Sequence, residues 1–296
     1  TFNALIELPP VTWLLRKTIG YVDTPTLSSP TITQRLKNDA LLIHSQSQLE
    51  QLKSMAKTER KNHVMIVQDP FTSFYDAQVV EKLAIFVKKL GLTPVLLPFS
   101  PNGKAQHVKG FLAKFEKTAR KTSAFLDEIA QLNIPMIGAD ASLVLCYRDE
   151  YKNILKDSKR SFEVLTISEW LSVASSVSKI NEASVSSTTY KLLGHCSEKT
   201  AIPETESTWK AIFKQFGLTL DVASVGCCGM AGTYGHELEH AENSRGIYDL
   251  SWSQYTKSGE NNVQIVVTGY SCRSQVKRYE NYRPKHPIEI LADIDF

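Results

Sequence analysis

Short apolar runs along this chain alternate with longer segments whose apolar residues recur every three to four positions, a pattern that predicts strands followed by helices. From His63 the run Val64-Met65-Ile66-Val67 reads as a buried strand ending at Asp69-Pro70. Val79, Val80, Leu83, Ile85, Phe86, Val87 and Leu90 then give an apolar face to a helix over 76–90, with Gly91 as its stop. Pro94-Val95-Leu96-Leu97 predicts a second strand, 107–132 a long helix, and Ile134-Pro135-Met136-Ile137-Gly138 a third strand. The order repeats further on, with a short strand at Tyr190–Leu193, a helix at Ser207–Phe216 closing at Gly217, and a buried strand at Val263–Val267. "FVKKLGLTPVLL" (86–97) is also similar to "IFKQFGLTLDVAS" (212–224). Strands joined by helices imply parallel sheets. The expected fold class is therefore α/β, with two similar Rossmann-like repeats related by pseudo-two-fold symmetry. The first, cysteine-poor repeat is placed at 62–171 and the second at 188–296, with the Ser/Ala/Val-rich stretch around 172–188 as the joint. Residues 1–61, with Pro9-Pro10 and the Thr/Ser/Pro stretch 24–30, read as a linker and helical lead-in.

A chain of 296 residues, 42% apolar and 22% charged, has ample material for a core. Lys and Arg number 34 against 31 Asp and Glu, a net charge of +3 with both signs intermixed, so nucleic acid is not an indicated partner. No apolar run approaches the ~20 residues a transmembrane helix needs, and the first residues lack the layout of a secretory signal. These features predict a cytoplasmic protein and leave membrane association open. The opening Thr1-Phe2-Asn3 predicts a piece of a longer polypeptide.

Five cysteines are too few for a disulfide scaffold and odd in number, which points to thiols in a reducing compartment. Four of them crowd the last third: Cys196, the vicinal pair Cys227-Cys228 and Cys272. Each follows a predicted strand, and the carboxyl ends of parallel strands share one edge, so three loops converge their thiols. Ionised thiols so placed repel one another unless a metal or an iron–sulfur core sits between them. Gly226, Gly229, Gly232 and Gly235 around the pair let the backbone wrap closely and aim N–H groups inward. The competing reading is a tight turn with inert buried cysteines. His236-Glu237-Leu238-Glu239-His240 matches H-E-x-x-H, but with a single internal apolar residue and no evident third ligand it is set aside as a peptidase signal.

"GHCSEKT" (194–200), "VGCCGMAGTYGHE" (225–237), "TGYSCRSQVKR" (268–278) and "HPIEIL" (286–291) resemble the cysteine-rich repeats named for their Cys-Cys-Gly signature. Such repeats occur in heterodisulfide reductase subunits, in the iron–sulfur subunit of anaerobic glycerol-3-phosphate dehydrogenase, and in long FAD- and iron–sulfur-dependent D-2-hydroxyglutarate or D-lactate dehydrogenases. "FYDAQVVEKLAIFVKKLG" (74–91), "PNGKAQHVKGFL" (101–112) and "YRDEY" (147–151) resemble the upstream repeat of the last group. The resemblance, covering about residues 60 to 296, implies the C-terminal electron-transfer part of a larger oxidoreductase. Its FAD and ferredoxin-type domains would lie upstream, and it would pass electrons to a quinone or other carrier that the sequence does not identify. No residue of this segment would then perform the hydride step.

Two departures qualify the site. The family's last motif is often C-x-x-C, whereas Gln275 stands here for the second cysteine, and the first repeat keeps only Cys146. Four ligands, Cys196, Cys227, Cys228 and Cys272, suffice for a [4Fe–4S] cluster, with Zn2+ as the alternative. The rival functions are a structural zinc or apo docking module and a thiol–disulfide oxidoreductase using Cys227-Cys228. His195, His236, Gln275 and Arg273 are expected beside the site. Asn102, Lys104, Arg148 and Glu150 of the first repeat are expected to face it across a shared cleft, and Cys146 to lie apart.

Overall fold

Eight short strands appear in the computed structural model, which describes residues 2–43, 45–156, 160–174, 188–257 and 263–295. They are β1 (Leu41–Leu42), β2 (His63–Val67), β3 (Thr93–Leu96), β4 (Met136–Gly138), β5 (Leu165–Thr166), β6 (Thr189–Leu193), β7 (Thr219–Val222) and β8 (Val263–Val267). Most of the expected joint, 175–187, lies outside the described residues. The first sheet has the order β1-β3-β2-β4-β5 and the second β7-β6-β8, and every pairing is parallel. Met65 of β2 lies level with Val95 of β3 and Met136 of β4. Tyr190 of β6 lies level with Leu220 of β7 and Gln264 of β8. In both sheets the first strand of a consecutive trio, β2 or β6, runs between the other two.

The elements follow from local sequence. All of β2 is buried, which is why it reads as a continuous apolar run instead of an alternation. Helix Ala77–Lys89 buries Val79, Val80, Leu83, Ala84, Phe86 and Val87 on one side and ends where Gly91 takes φ +74°. Asp69 and Asp140 each cap a helix at a strand end, Asp140 by accepting from the N–H groups of Ser142 (3.0 Å) and Leu143 (3.3 Å).

One hydrophobic core spans both sheets. It joins Ile66 and Phe86 of the first half to Leu192, Trp209, Phe213 and Leu291 of the second. Helix Pro287–Asp293 lies against Ala77–Lys89, and helix Ile167–Val173 against Thr205–Gln215. The rings of Phe86 and Phe216 meet at 5.4 Å. Full burial of each such side chain is worth about 1.5–3 kcal/mol, so the halves stabilise one another. A buried polar link adds specificity: Arg273, 1% exposed, donates to Oδ2 of Asp76 from NH2 (2.8 Å) and Nε (3.1 Å), while Arg283 donates to Oδ1 (2.6 Å). The remaining Arg273 nitrogen donates to the carbonyls of Val267 (3.0 Å) and Thr268 (2.7 Å) at the end of β8. Because its donors are satisfied, this burial is tolerated.

The lead-in is more than a linker. Its Leu41–Leu42 supplies an edge strand to the first sheet. Its Gly20–Val22 stretch lies along the second half, with Tyr21 bridged antiparallel to Glu237 and the Val22 N–H donating to the His236 carbonyl at 2.8 Å.

Candidate metal centre

Strand β6 leads through Gly194-His195 into helix Cys196–Ala201, so Cys196 opens that helix. From β7 the chain enters an irregular loop carrying Cys227, Cys228 and Gly229. Gly229 has φ +83°, and a Cβ there would stand 2.3 Å from the Ser244 carbonyl oxygen, so only glycine permits this turn. Strand β8 leads through Thr268-Gly269 into helix Tyr270–Glu280, with Cys272 in the first turn. A Cβ at Gly269 would lie 2.2 Å from Cδ2 of His195; its absence lets the β6 and β8 loops close on each other.

The thiols touch in series: Cys196 hydrogen-bonds to Cys227, Cys227 to Cys228, and Cys228 to Cys272. Cys228 and Cys272 are buried, and Cys196 and Cys227 partly so; none forms a disulfide. Contact with Cys196 and Cys228 holds the Cys227 thiol below its ordinary range, and contact with Cys228 likewise lowers Cys272. Through the same contacts and burial, Cys196 and Cys228 are pushed up. Protons are thus shared along the series of sulfurs, and the Gly229 N–H adds a donor 3.4 Å from the Cys227 sulfur. Protons shared among sulfurs are what a bound metal displaces, so the donor set fits a thiolate-liganded group. His195 is buried beside it, Nε2 3.4 Å from the Ser271 hydroxyl and Nδ1 without a partner.

Gln275 is fully buried and serves the Cys-Cys-Gly loop as a clamp. Its amide N–H donates to the Cys228 carbonyl (2.9 Å) and the Ser244 hydroxyl (2.8 Å), and its oxygen accepts from Arg278 (3.3 Å). His236 is buried at one remove, its Nδ1 2.6 Å from Asp23 Oδ1 and 2.7 Å from Arg278, which also pairs with Asp23. Arg273, next to Cys272 in sequence, points back to Asp76.

Asn102, Lys104, Arg148 and Glu150 of the first repeat find their partners within that repeat. Lys104 pairs with Glu150, Arg148 grips Glu169 (2.7 and 2.6 Å), and Asn102 donates to the Leu143 carbonyl (3.2 Å). These contacts surround Cys146, whose buried thiol is pushed up to about 12 and which packs in a different core from Cys228 and Cys272. Each charge is neutralised by a close partner, and no polar contact among the described residues joins these four side chains to the cysteines. Carboxylates that the sequence reading missed stand there instead. Asp140 accepts from the Tyr270 N–H (2.9 Å) and so caps the Cys272 helix as well as its own. Asp69, buried and facing Asp140, is raised to about 7. Glu198 is buried beside His195, bonded to the hydroxyls of Thr268 and Thr205, the latter at 2.7 Å. The available signal was Asp-Pro at 69–70 and Asp-Ala-Ser at 140–142, both helix-cap patterns at strand ends.

The H-E-x-x-H segment is not one helix. It forms two 3₁₀ turns, Tyr234–His236 and Leu238–His240, with Glu237 extended between them and paired to Lys109 at 2.6 Å. His236 faces Asp23 while His240 stacks on Tyr234 at 4.1 Å, so the two imidazoles serve separate contacts.

The molecule is therefore an α/β scaffold that presents a cluster of four thiols at the ends of a parallel sheet. No protein-family model matches the chain. It is similar to a D-2-hydroxyglutarate dehydrogenase of Escherichia coli, 51% identical over 294 residues, which is 99% of this chain and 28% of that protein. The D-2-hydroxyglutarate dehydrogenase of Haemophilus influenzae is 44% identical over 300 residues, 99% of this chain and 29% of that one. The match lies in the C-terminal portion of those enzymes, and the chain spans about 28% of their length. A component of the anaerobic glycerol-3-phosphate dehydrogenase of Escherichia coli is 26% identical over 189 residues, covering 62% of this chain and 46% of that component. Among solved structures, a hypothetical protein from Helicobacter pylori aligns with a TM-score of 0.49 at 9% identity, over 98% of this chain and 55% of that one.

Proposed function

We propose that this chain is the C-terminal electron-transfer portion of a D-2-hydroxyglutarate-dehydrogenase-like oxidoreductase, with Cys196, Cys227, Cys228 and Cys272 holding a [4Fe–4S] cluster. The observation that carries the reading is the serial contact of four thiols delivered by three separate strand ends. The identity with the dehydrogenases supports it. When bound, such a cluster supplies a one-electron carrier. The chain's own residues do the rest. All four cysteines would bind as thiolates, Cys227 and Cys272 losing their protons more readily than Cys196 and Cys228. The Gly229 N–H and the Gln275 clamp hold the loop, and Asp140 fixes the start of the Cys272 helix. FAD would sit on the part of the relatives' length that this chain does not cover, and the hydroxyacid would be oxidised there. Residues 62–171 and 188–296 are read as two pseudo-symmetric repeats, supported by the central position of β2 and β6.

The test is metal and sulfide content of the full-length enzyme purified without air. Relative to the Cys228→Ser variant prepared alongside, the parent is expected to carry about four more iron and about four more sulfide per chain, with a matching excess of visible absorption that bleaches on reduction. An unchanged iron content in that variant, with one zinc per chain lost instead, would assign the thiols to a structural site. No metal lost at all, with a reversible Cys227–Cys228 disulfide in the parent, would favour thiol–disulfide chemistry, which the contact between those two sulfurs also permits.

A further inference from the structure

Where the lead-in crosses the second half it roofs a cavity of about 480 Å³. One wall is the helix that carries Cys272, and the opposite wall is the 22–26 stretch of the lead-in. Tyr75 and Tyr270 form an aromatic floor, their rings 6.2 Å apart, with Phe71 stacked behind Tyr270 at 4.9 Å. Tyr270 is 9% exposed and Tyr75 37%, so the floor is solid and only its outer ring meets solvent.

The cations around this floor differ in kind. Arg273 and Arg283 are committed to Asp76, and Arg278 to Asp23. Lys277, on the same helix, also lines the cavity, and its ammonium has no partner among the described residues. The Tyr270 hydroxyl is engaged by Ser274, whereas the hydroxyl of Tyr75 has no hydrogen bond among the described residues. A ligand entering here meets an aromatic face, one free positive charge and a free hydroxyl group. Tyr270, Arg273, Ser274 and Lys277 share the face of the helix that lines the cavity, while Cys272 stands on the same helix and packs on the other side with Cys228 and Val276, so the helix itself separates the cavity from the thiol cluster.

From this geometry we infer that the cavity binds a planar aromatic molecule carrying an anionic group, its ring on Tyr75 and Tyr270 and its anion on Lys277. Ring stacking and a charge-assisted hydrogen bond are the two interactions the walls leave unused. Flavin mononucleotide and quinones that bear an acidic substituent have this chemistry. The inference rests on the electron-transfer reading only for its purpose, as the place where a redox partner would meet the cluster.

Calorimetric titration of full-length enzyme, purified without air and assayed for iron, tests it with naphthoquinone sulfonate and flavin mononucleotide as probes. At least one should bind saturably, one per chain, and Lys277→Ala and Tyr75→Leu should each weaken that binding about tenfold. Both positions are solvent-accessible, so neither substitution endangers the fold. Naphthoquinone without the sulfonate should lose affinity in Tyr75→Leu alone, which separates the ring contact from the charge contact. No saturable binding of either probe, or binding that both substitutions leave unchanged, overturns the inference. Probe binding to iron-free enzyme would sustain the cavity and sink the cluster, whereas iron-loaded enzyme that binds neither probe would do the reverse.

Discussion

The two sheets turn the same strand order to different ends. At the carboxyl ends of β2 and β4 the first half places Asp69 and Asp140, which cap helices. After β6, β7 and β8 the second half places Cys196, Cys227-Cys228 and Cys272. A carboxylate at such a position satisfies backbone N–H groups and stabilises its own scaffold. A thiol accepts such bonds only weakly, as Cys227 does from the Gly229 N–H, and keeps its sulfur available to another ligand. The half with thiols therefore borrows support from its neighbours: Asp140 caps the Cys272 helix, Gln275 clamps the Cys228 carbonyl, and Asp76 holds Arg273. Chemistry sits on one half and much of the stability on the other.

The sharpest way to break this division is at a ligand. Cys228→Ser in the full-length enzyme should lose cluster iron and lower turnover with the physiological acceptor by about a hundredfold or more, beyond what loss of a supporting contact does. Flavin reduction by the hydroxyacid, followed by stopped-flow, should be unchanged. Equal loss of both rates would place the damage in folding.

The next effect concerns the seam. Asp76→Leu leaves Arg273 and Arg283 without their shared carboxylate in a buried site, and removing one partner of such a pair costs about 3–5 kcal/mol. Urea denaturation should register this as a lower midpoint with an unchanged slope. A shift under about 1 kcal/mol would mean that the seam is held by the shared apolar core alone.

A smaller effect belongs to the clamp. Gln275→Leu keeps the volume near constant but leaves the Cys228 carbonyl and the Ser244 hydroxyl without this donor and Arg278 without this acceptor, at about 1–3 kcal/mol. Iron content after anaerobic purification should stay near that of the parent, since the side chain touches a carbonyl and not the metal position. Complete loss of iron in this variant would make Gln275 a ligand.

Much of this division was legible in the chain before folding. Strands β2 and β4 stood out because burial on both faces leaves continuous apolar runs, and β3, β6 and β8 because their apolar residues cluster toward the buried carboxyl end. The meeting of the four thiols followed from a parallel sheet having one carboxyl edge. What escaped was set by pairing at a distance. Leu41–Leu42 and Leu165–Thr166 are two-residue edge strands with no periodicity of their own. Lys104, Arg148 and Glu150 carried charges that suggested a cleft, yet Lys104 and Glu150 neutralise each other across 46 positions and Arg148 reaches Glu169 across 21. Gly20–Val22 looked like linker because its partner, the 236–238 stretch, lies some two hundred residues away.

The mildest test asks whether the carboxylate at the first half's strand end is only a cap. Asp69 is buried and faces Asp140, with Tyr147 beside both, and these surroundings raise it from the ordinary aspartate value of about 4 to about 7. A group raised in the folded state binds its proton more tightly there than in the unfolded chain. Its contribution to stability is therefore complete below about pH 4 and is lost as the pH rises through about 7. Asn caps helices as well as Asp does and carries no charge, so Asp69→Asn should keep the bonds to the N–H groups of Phe71 and Thr72 (both 2.8 Å) and remove the titration. Measured by urea denaturation at several pH values, the parent should lose stability between about pH 5 and pH 8 relative to the variant, while the two agree near pH 4. Parallel curves would mean that Asp69 is ionised throughout, held by its Thr72 hydroxyl and backbone donors against the charge of Asp140. In that case the first half would tolerate a buried anion pair where the second half accommodates thiolates, and the contrast between the two strand ends would be one of ligand softness and not of charge.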